Sequence, residues 1–163
     1  DMTEPDPSRW DALGIPLRND YCPEGPVILV GMGMKSRMYL RKYNWEEQAF
    51  ARIRDKMPNR KIIYRPKGKD RKSLMCEMDS VTPIEKLLKG AAFVVCHHSN
   101  VAVDAVIAGV PFHCEDGAAM WMRRQGAWSD EKRLDFLRRL AWWQWRPTEM
   151  DQCWSFVKKV VTK

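Results

Sequence analysis

The stretch Cys96-His97-His98-Ser99-Asn100, with its continuation from Val101 to Pro111, constrains the fold more than any other part of the chain. An apolar run from Ala91 to Cys96 ends in polar residues and passes at once into a short amphipathic helix. Gly109-Val110-Pro111 stops that helix and opens another apolar run. Strand, helix and strand in that order make a βαβ unit whose ligand end is polar. A helix N-terminus in that position binds anions, because its free N–H groups and its macrodipole point at the ligand.

The rest of the chain repeats the alternation. Pro26-Val27-Ile28-Leu29-Val30, closed by Gly31-Met32-Gly33, reads as a buried strand and a tight turn. Residues 34–44 are basic, carry two Tyr and read as a loop or a loose helical turn. Asn44 caps a predicted helix from Trp45 to about Met57, with Glu46 and Glu47 in the first turn where the dipole favours them. Lys61–Arg65 is a second strand, followed by the loop Pro66–Asp70 and a charged, mobile stretch to Asp79. Thr82-Pro83-Ile84-Glu85 supplies an N-cap, Pro at N1 and Glu at N3 for a helix over Ile84 to about Lys89, with Gly90 as its C′ residue. A third strand covers Ala92–Cys96, a helix about Asn100–Ala108, and a fourth strand Val110–Cys114. Beyond Gly117 the pattern is helical, with helices over Asp130–Trp143 and from about Thr148 to Val161.

This order predicts an α/β protein: a single Rossmann-like parallel-sheet domain over residues 26–163, of about four to five strands with flanking helices. An irregular N-terminal arm, residues 1–25, is pinned to it by Trp10, Leu13 and Ile15. Parallel sheets bind ligands at the carboxyl ends of their strands. Gly31–Lys35, Arg65–Asp70, His97–Asn100 and Glu115–Ala118 therefore share one rim.

Composition narrows the partners. A chain of 163 residues suits one domain, large enough to bury roughly 70% of its unfolded surface. A formal charge of +7 and a pI near 9.3 favour nucleic acid, phosphorylated ligands or acidic membrane surfaces. The five cysteines are scattered and form no CxxC pair, which argues against a disulfide framework and a structural zinc site and fits a reducing cytoplasm. No apolar run approaches the length of a membrane span. The acidic start Asp1–Pro7 is no signal peptide, and Asp at position 1 points to trimming or to a longer natural chain.

Several local patterns name chemistry only to lose it. Gly31-Met32-Gly33-Met34-Lys35-Ser36 satisfies neither phosphate-binding motif: Met34 stands where the P-loop needs Gly, and Ser36 where the dinucleotide fingerprint needs its third Gly. Small residues there still let a backbone approach a ligand closely. His113-Cys114-Glu115 matches the H-x-E fragment of zinc deaminases, but no Pro-Cys-x-x-Cys follows. His97 and His98 are adjacent, so an extended strand end would point them to opposite sides, one to the site and one to the core, and no metal is expected there. No Ser, His and acid set stands at a nucleophile-elbow spacing. Arg65, Lys67 and Lys69 form a basic loop on the rim, suited either to solvent or to phosphate. Asp104, one turn into the Ser99 helix, suits either the helix dipole or a ribose diol.

The run Val94 to Ala105, with Gly109-Val110-Pro111 beyond it, resembles the nucleotide-binding half of GT-B glycosyltransferases. It looks closest to the capsular-polysaccharide-type proteins and their relatives in bacteria and phages. Arg65-Pro66-Lys67 is similar to the Arg-Pro-His-Pro loop of that group, with Lys67 and Gly68 in place of its His and second Pro. Leu140-Ala141-Trp142-Trp143-Gln144-Trp145, with Thr148-Glu149-Met150 and Trp154, resembles its C-terminal Gln-Trp-Thr-x-x-Glu segment. The likeness spans about residues 26–155.

The resemblance implies a nucleoside diphosphate sugar as donor substrate and no resident cofactor. It places Ser99 and Asn100 at the diphosphate and Asp104 at the ribose, with Arg65, Lys67, Gly31 and Gly33 completing the phosphate site and Glu115 on the same rim. His97 or His98 would transfer a proton or contact the sugar, while helix dipole and basic side chains stabilise the departing diphosphate. A GT-B cleft lies between two Rossmann-like domains, so an acceptor half would come from a second domain or a protein partner, unless none is needed. The acceptor itself would be DNA or an anionic polysaccharide. Two other readings stand beside this one: a non-catalytic basic module for nucleic acid, and an assembly protein that docks through its Trp-rich C-terminal segment.

Overall fold

The computed structural model describes residues 6–69, 71–123 and 128–161. Residues 1–5 of the acidic start and Asp70 of the basic loop lie outside them. The helices are α1 (Ser8–Asp11), α2 (Met34–Leu40), α3 (Trp45–Lys56), α4 (Ile84–Leu88), α5 (Val101–Ala108), α6 (Met120–Arg123), α7 (Asp130–Trp142) and α8 (Met150–Val161). The strands are β1 (Val27–Val30), β2 (Ile62–Arg65), β3 (Glu77–Met78), β4 (Phe93–Cys96) and β5 (Phe112–Cys114). Two compact units result: Pro16–Ser129 holds the sheet, and Asp1–Ile15 with Asp130–Lys163 forms the other.

All five strands of the larger unit are parallel, in the order β3-β2-β1-β4-β5. This is an α/β, Rossmann-like arrangement. Val27 sits between Ile62 and Phe93, and Leu29 between Tyr64 and Val95. On one face Val27, Leu29, Ile62, Tyr64 and Val95 pack with Trp45, Ala49 and Ile53 of α3. Those three helical positions recur every four residues and so form one apolar stripe. Ile28, Ile63 and Val94 alternate to the opposite face, and α5 packs on β4 and β5. Because both faces are covered, β1 is buried at every residue, which explains its continuous apolar run.

The 34–44 stretch contains a helix, α2, which ends at Arg41 in a left-handed conformation (φ 54°). The charged stretch before Asp79 hides a two-residue edge strand, β3, too short and exposed to leave a hydrophobic signature. Asn44 precedes α3, but its side chain makes no cap. Nor does Thr82 cap α4: Pro83 occupies that position, and Asp79 Oδ1 accepts the Val81 and Thr82 N–H groups at 3.0 and 2.8 Å.

The later part of the predicted arm is strapped to the sheet unit. Arg18 N–H donates to Ile107 O, Asp20 N–H to Ala108 O and Gly90 N–H to Asp20 O, each at 2.8 Å. Gly25 follows so close to this strap that a Cβ would lie 1.8 Å from Gly90 O.

In the smaller unit α1 packs on α7, and Arg138 reaches Asp11 at 3.3 Å. Arg9 pairs with Glu149 at 2.6 Å and lies over the Trp145 ring, 4.5 Å from its centroid. Trp142, Trp143 and Trp145 gather around Phe156, with ring centroids 6.0, 5.4 and 5.7 Å away. Much of the Trp-rich segment is thus occupied in packing against α8. Among the described residues, no helix is long and apolar enough to cross a membrane.

Candidate functional site

Strand order reverses direction between β1 and β4, since the chain leaves β1 towards β2 on one side and returns through β4 on the other. Loops that diverge in this way open a crevice at the carboxyl ends of the two strands. Gly31 and Met32 after β1, Lys67 after β2, and His97, His98 and Ser99 after β4 line one small cleft there. It encloses only about 10 Å³, room for roughly one water, so the cleft itself does not enclose a larger molecule.

The two glycines of the β1 turn differ in what they allow. A Cβ on Gly31 would meet Tyr64 Oη at 2.8 Å, so its missing side chain makes room for the buried Tyr64 ring. A Cβ on Gly33 would stand 3.9 Å from Lys67 Cδ, an ordinary contact, so Gly33 leaves open space beside the cleft.

The histidines do not diverge as an extended strand would make them. The strand stops at Cys96 and the chain bends at His97, which brings His97 Nδ1 within 3.0 Å of His98 Nδ1. His97 is buried against Trp45, edge to face with centroids 5.7 Å apart, while His98 is half-buried on the cleft. Beyond His97, its Nε2 faces Glu115 Oε2 at 3.5 Å. Beyond His98, its Nε2 lies 3.0 Å from Ser36 Oγ in the first turn of α2.

Glu115 is held as well. Its Oε1 accepts the Trp45 indole N–H at 2.8 Å and the Arg52 guanidinium at 3.1 Å. Burial would raise this carboxyl, but the Trp45 hydrogen bond and the charges of His97, Arg52 and Lys42 outweigh it and hold the group below its usual range. His97 is pushed below the usual histidine value, first by burial and then by His98 and Lys42, against the pull of Glu115 and Asp116. Above the ordinary histidine range the carboxylate therefore faces a neutral imidazole, while at the lower pH where Glu115 titrates the His97 charge helps to keep its proton off.

The remaining predicted residues divide. Ser99 Oγ accepts the Val101 N–H at 3.3 Å, and Asn100 is the exposed residue preceding α5, with no side-chain cap of its own. Asp104 lies half-buried on α5; burial first and Glu85 second raise its carboxyl, and Arg18 opposes them. Arg65 does not line the cleft: its guanidinium donates to Asp79 O at 3.2 Å and pairs with Asp79 Oδ1 at 3.6 Å. Glu115 does not line the cleft and is committed to Trp45, Arg52 and His97.

Sequence reasoning missed Ser36, Trp45 and Arg52 as members of this cluster. Only Ser36 carried a signal, as the residue that spoils a glycine fingerprint. Among the described residues, no three His, Cys, Asp or Glu side chains gather as a metal ion requires.

No family model matches the chain, and no match is found among curated proteins. What the fold and the rim define is an α/β, Rossmann-like unit with its crevice at the topological switch point.

Proposed function

We propose that the larger unit binds the diphosphate of a nucleotide sugar over the switch-point cleft and serves glycosyl transfer, as the nucleotide-binding half of a GT-B enzyme does. One observation carries the reading: Gly31, Lys67, His98 and Ser99, from three different loops, converge on one cleft between β1 and β4. In this reading Ser99, Asn100 and the first N–H groups of α5 meet the diphosphate, and Lys67 supplies a cation. Asp104 accepts hydrogen bonds from the ribose hydroxyls. Charge builds on the diphosphate as the glycosidic bond breaks, so helix dipole and Lys67 stabilise the transition state more than the ground state. The acceptor half is a second domain or partner, and the acceptor an anionic polysaccharide or DNA.

Calorimetric titration with UDP and UDP-sugars tests the proposal. Saturable binding is expected, weakened about tenfold or more by Ser99→Ala and Asp104→Ala together, as the loss of charged hydrogen bonds requires. Absent binding, or binding indifferent to those changes, contradicts it. A salt-dependent affinity for DNA that survives both changes favours the nucleic-acid module instead.

A further inference from the structure

Glu115, His97, His98 and Ser36 form a continuous chain of polar contacts that crosses from the end of β5 to the first turn of α2. Glu115 Oε2 to His97 Nε2 is 3.5 Å, His97 Nδ1 to His98 Nδ1 is 3.0 Å, and His98 Nε2 to Ser36 Oγ is 3.0 Å. The Glu115–His97 contact is an ion-pair distance rather than a hydrogen bond, and the carboxylate charge favours one direction for the links that follow. An anion facing Nε2 of His97 favours the N–H there, which leaves Nδ1 of His97 as an acceptor. His98 must then donate from its own Nδ1, which leaves its Nε2 with a lone pair, and Ser36 donates its hydroxyl proton to that lone pair. A hydroxyl aimed at an oriented base is the arrangement that makes serine a nucleophile, and here the acid orients the base through a second imidazole.

We propose that Ser36 is a nucleophile activated by His98, with His97 and Glu115 as positioning residues, and that this chain acts on carboxylic esters with an apolar acyl group. The proposal does not rest on nucleotide binding, although His98 and Lys67 line the cleft invoked for it. Ser36 is half-buried, so it is within reach of solvent. Tyr39, one turn further along α2 and 87% exposed, stands beside it on the helix surface and offers an unfilled aromatic face to the acyl group. Lys67 lines the same cleft as His98 and adds positive charge there.

In the acylation step Ser36 Oγ bonds to the ester carbonyl carbon as its proton passes to His98 Nε2. The alkoxide leaves with the proton that His98 returns, and Ser36 remains as an acyl ester. Water, deprotonated by His98 in the same way, then releases the carboxylic acid and restores the hydroxyl. The imidazolium formed at His98 is compensated through His97 by the Glu115 charge.

A fluorophosphonate probe reads the first step alone: the Oγ–P bond forms, the P–F bond breaks, and the proton leaves with fluoride. Incubated with the full chain, the probe is expected to add once, and peptide mapping to place the adduct on Ser36. His98→Ala should slow labelling about a hundredfold or more, the usual worth of a general base. Glu115→Gln should shift the pH at which the labelling rate rises, an effect that loss of packing alone does not produce. Ser36→Cys guards against a variant that merely unfolds: its thiol should react with iodoacetamide faster than the half-exposed Cys22, and lose that advantage when His98→Ala is added. No adduct, an adduct on another residue, or labelling indifferent to His98→Ala would overturn the proposal and leave the chain a structural tie between α2 and the ends of β4 and β5.

Discussion

Arg37 and Glu46 form an ion pair from which water is excluded. Arg37 Nε lies 3.0 Å from Glu46 Oε1, the two side chains are 3% and 0% exposed, and the same carboxylate oxygen accepts the Met32 N–H at 2.8 Å. The pair therefore clamps the turn after β1 and the helix α2 to the start of α3, and so fixes both Gly33 and Ser36 at the rim. Removing one partner strands a buried charge, at a cost of about 3–5 kcal/mol. Glu46→Gln and Arg37→Met should each lower the urea midpoint by that equivalent, and the double variant should lose less than the sum. Additive losses would show that the two groups are not coupled.

The β1 turn supplies a paired test of packing. Gly31→Ala places a methyl against Tyr64 Oη and should cost about 1–3 kcal/mol, as overpacking does. Gly33 has ordinary extended backbone (φ −74°) and open space, so Gly33→Ala should change stability by less than about 0.5 kcal/mol. Thermal unfolding of the two variants checks the contrast. Equal effects would mean that the Tyr64 ring does not use the space at Gly31.

Stability should depend on pH through His97. Burial holds its folded pKa below the ordinary 6.5, so between the two values the unfolded chain binds a proton that the folded chain refuses. Its contribution is then complete above about pH 6.5 and declines as the pH falls through the unfolded value towards the folded one. The thermal midpoint should be level from about pH 8 to 7 and drop from about pH 6.5 to 5, with the drop reduced in His97→Gln. A midpoint level across that interval would contradict a neutral, buried imidazole.

Cysteine reactivity should follow burial. Cys96 is fully buried at the end of β4, and burial pushes its thiol up to about 12. Iodoacetamide at neutral pH should modify the half-exposed Cys22 and Cys153 and spare Cys96 and Cys114 until denaturant is added. Early modification of Cys96 would show that β4 opens on that timescale.

The sheet was legible because parallel strands buried on both faces leave continuous apolar runs. Val27–Val30, Ile62–Arg65 and Phe93–Cys96 each stand inside a run visible in the sequence. The helices α3, α5, α7 and α8 announced themselves by spacing and by Gly or Pro at their ends. The edge strand β3 did not, since two exposed residues have no period.

The cleft was partly legible. Strand ends at the switch point drew attention to His97, His98 and Ser99, but their geometry depended on a bend after Cys96 that strand periodicity does not foresee. The partnership of Glu46 with Arg37 was hidden because each reads, alone, as a solvated charge on a helix. Sequence position alone puts Arg65 at the rim, whereas Asp79, 14 residues further along the chain, takes its guanidinium.

Backbone amide shifts in a ¹⁵N-labelled sample report whether the switch-point cleft is a nucleotide site. On titration with UDP, saturable shifts are predicted at Gly31, Gly33, Lys67, His98, Ser99 and the first turn of α5, with little change in α7 and α8. Shifts confined to α7 and α8, or none at UDP concentrations up to the millimolar range, would contradict a nucleotide site there.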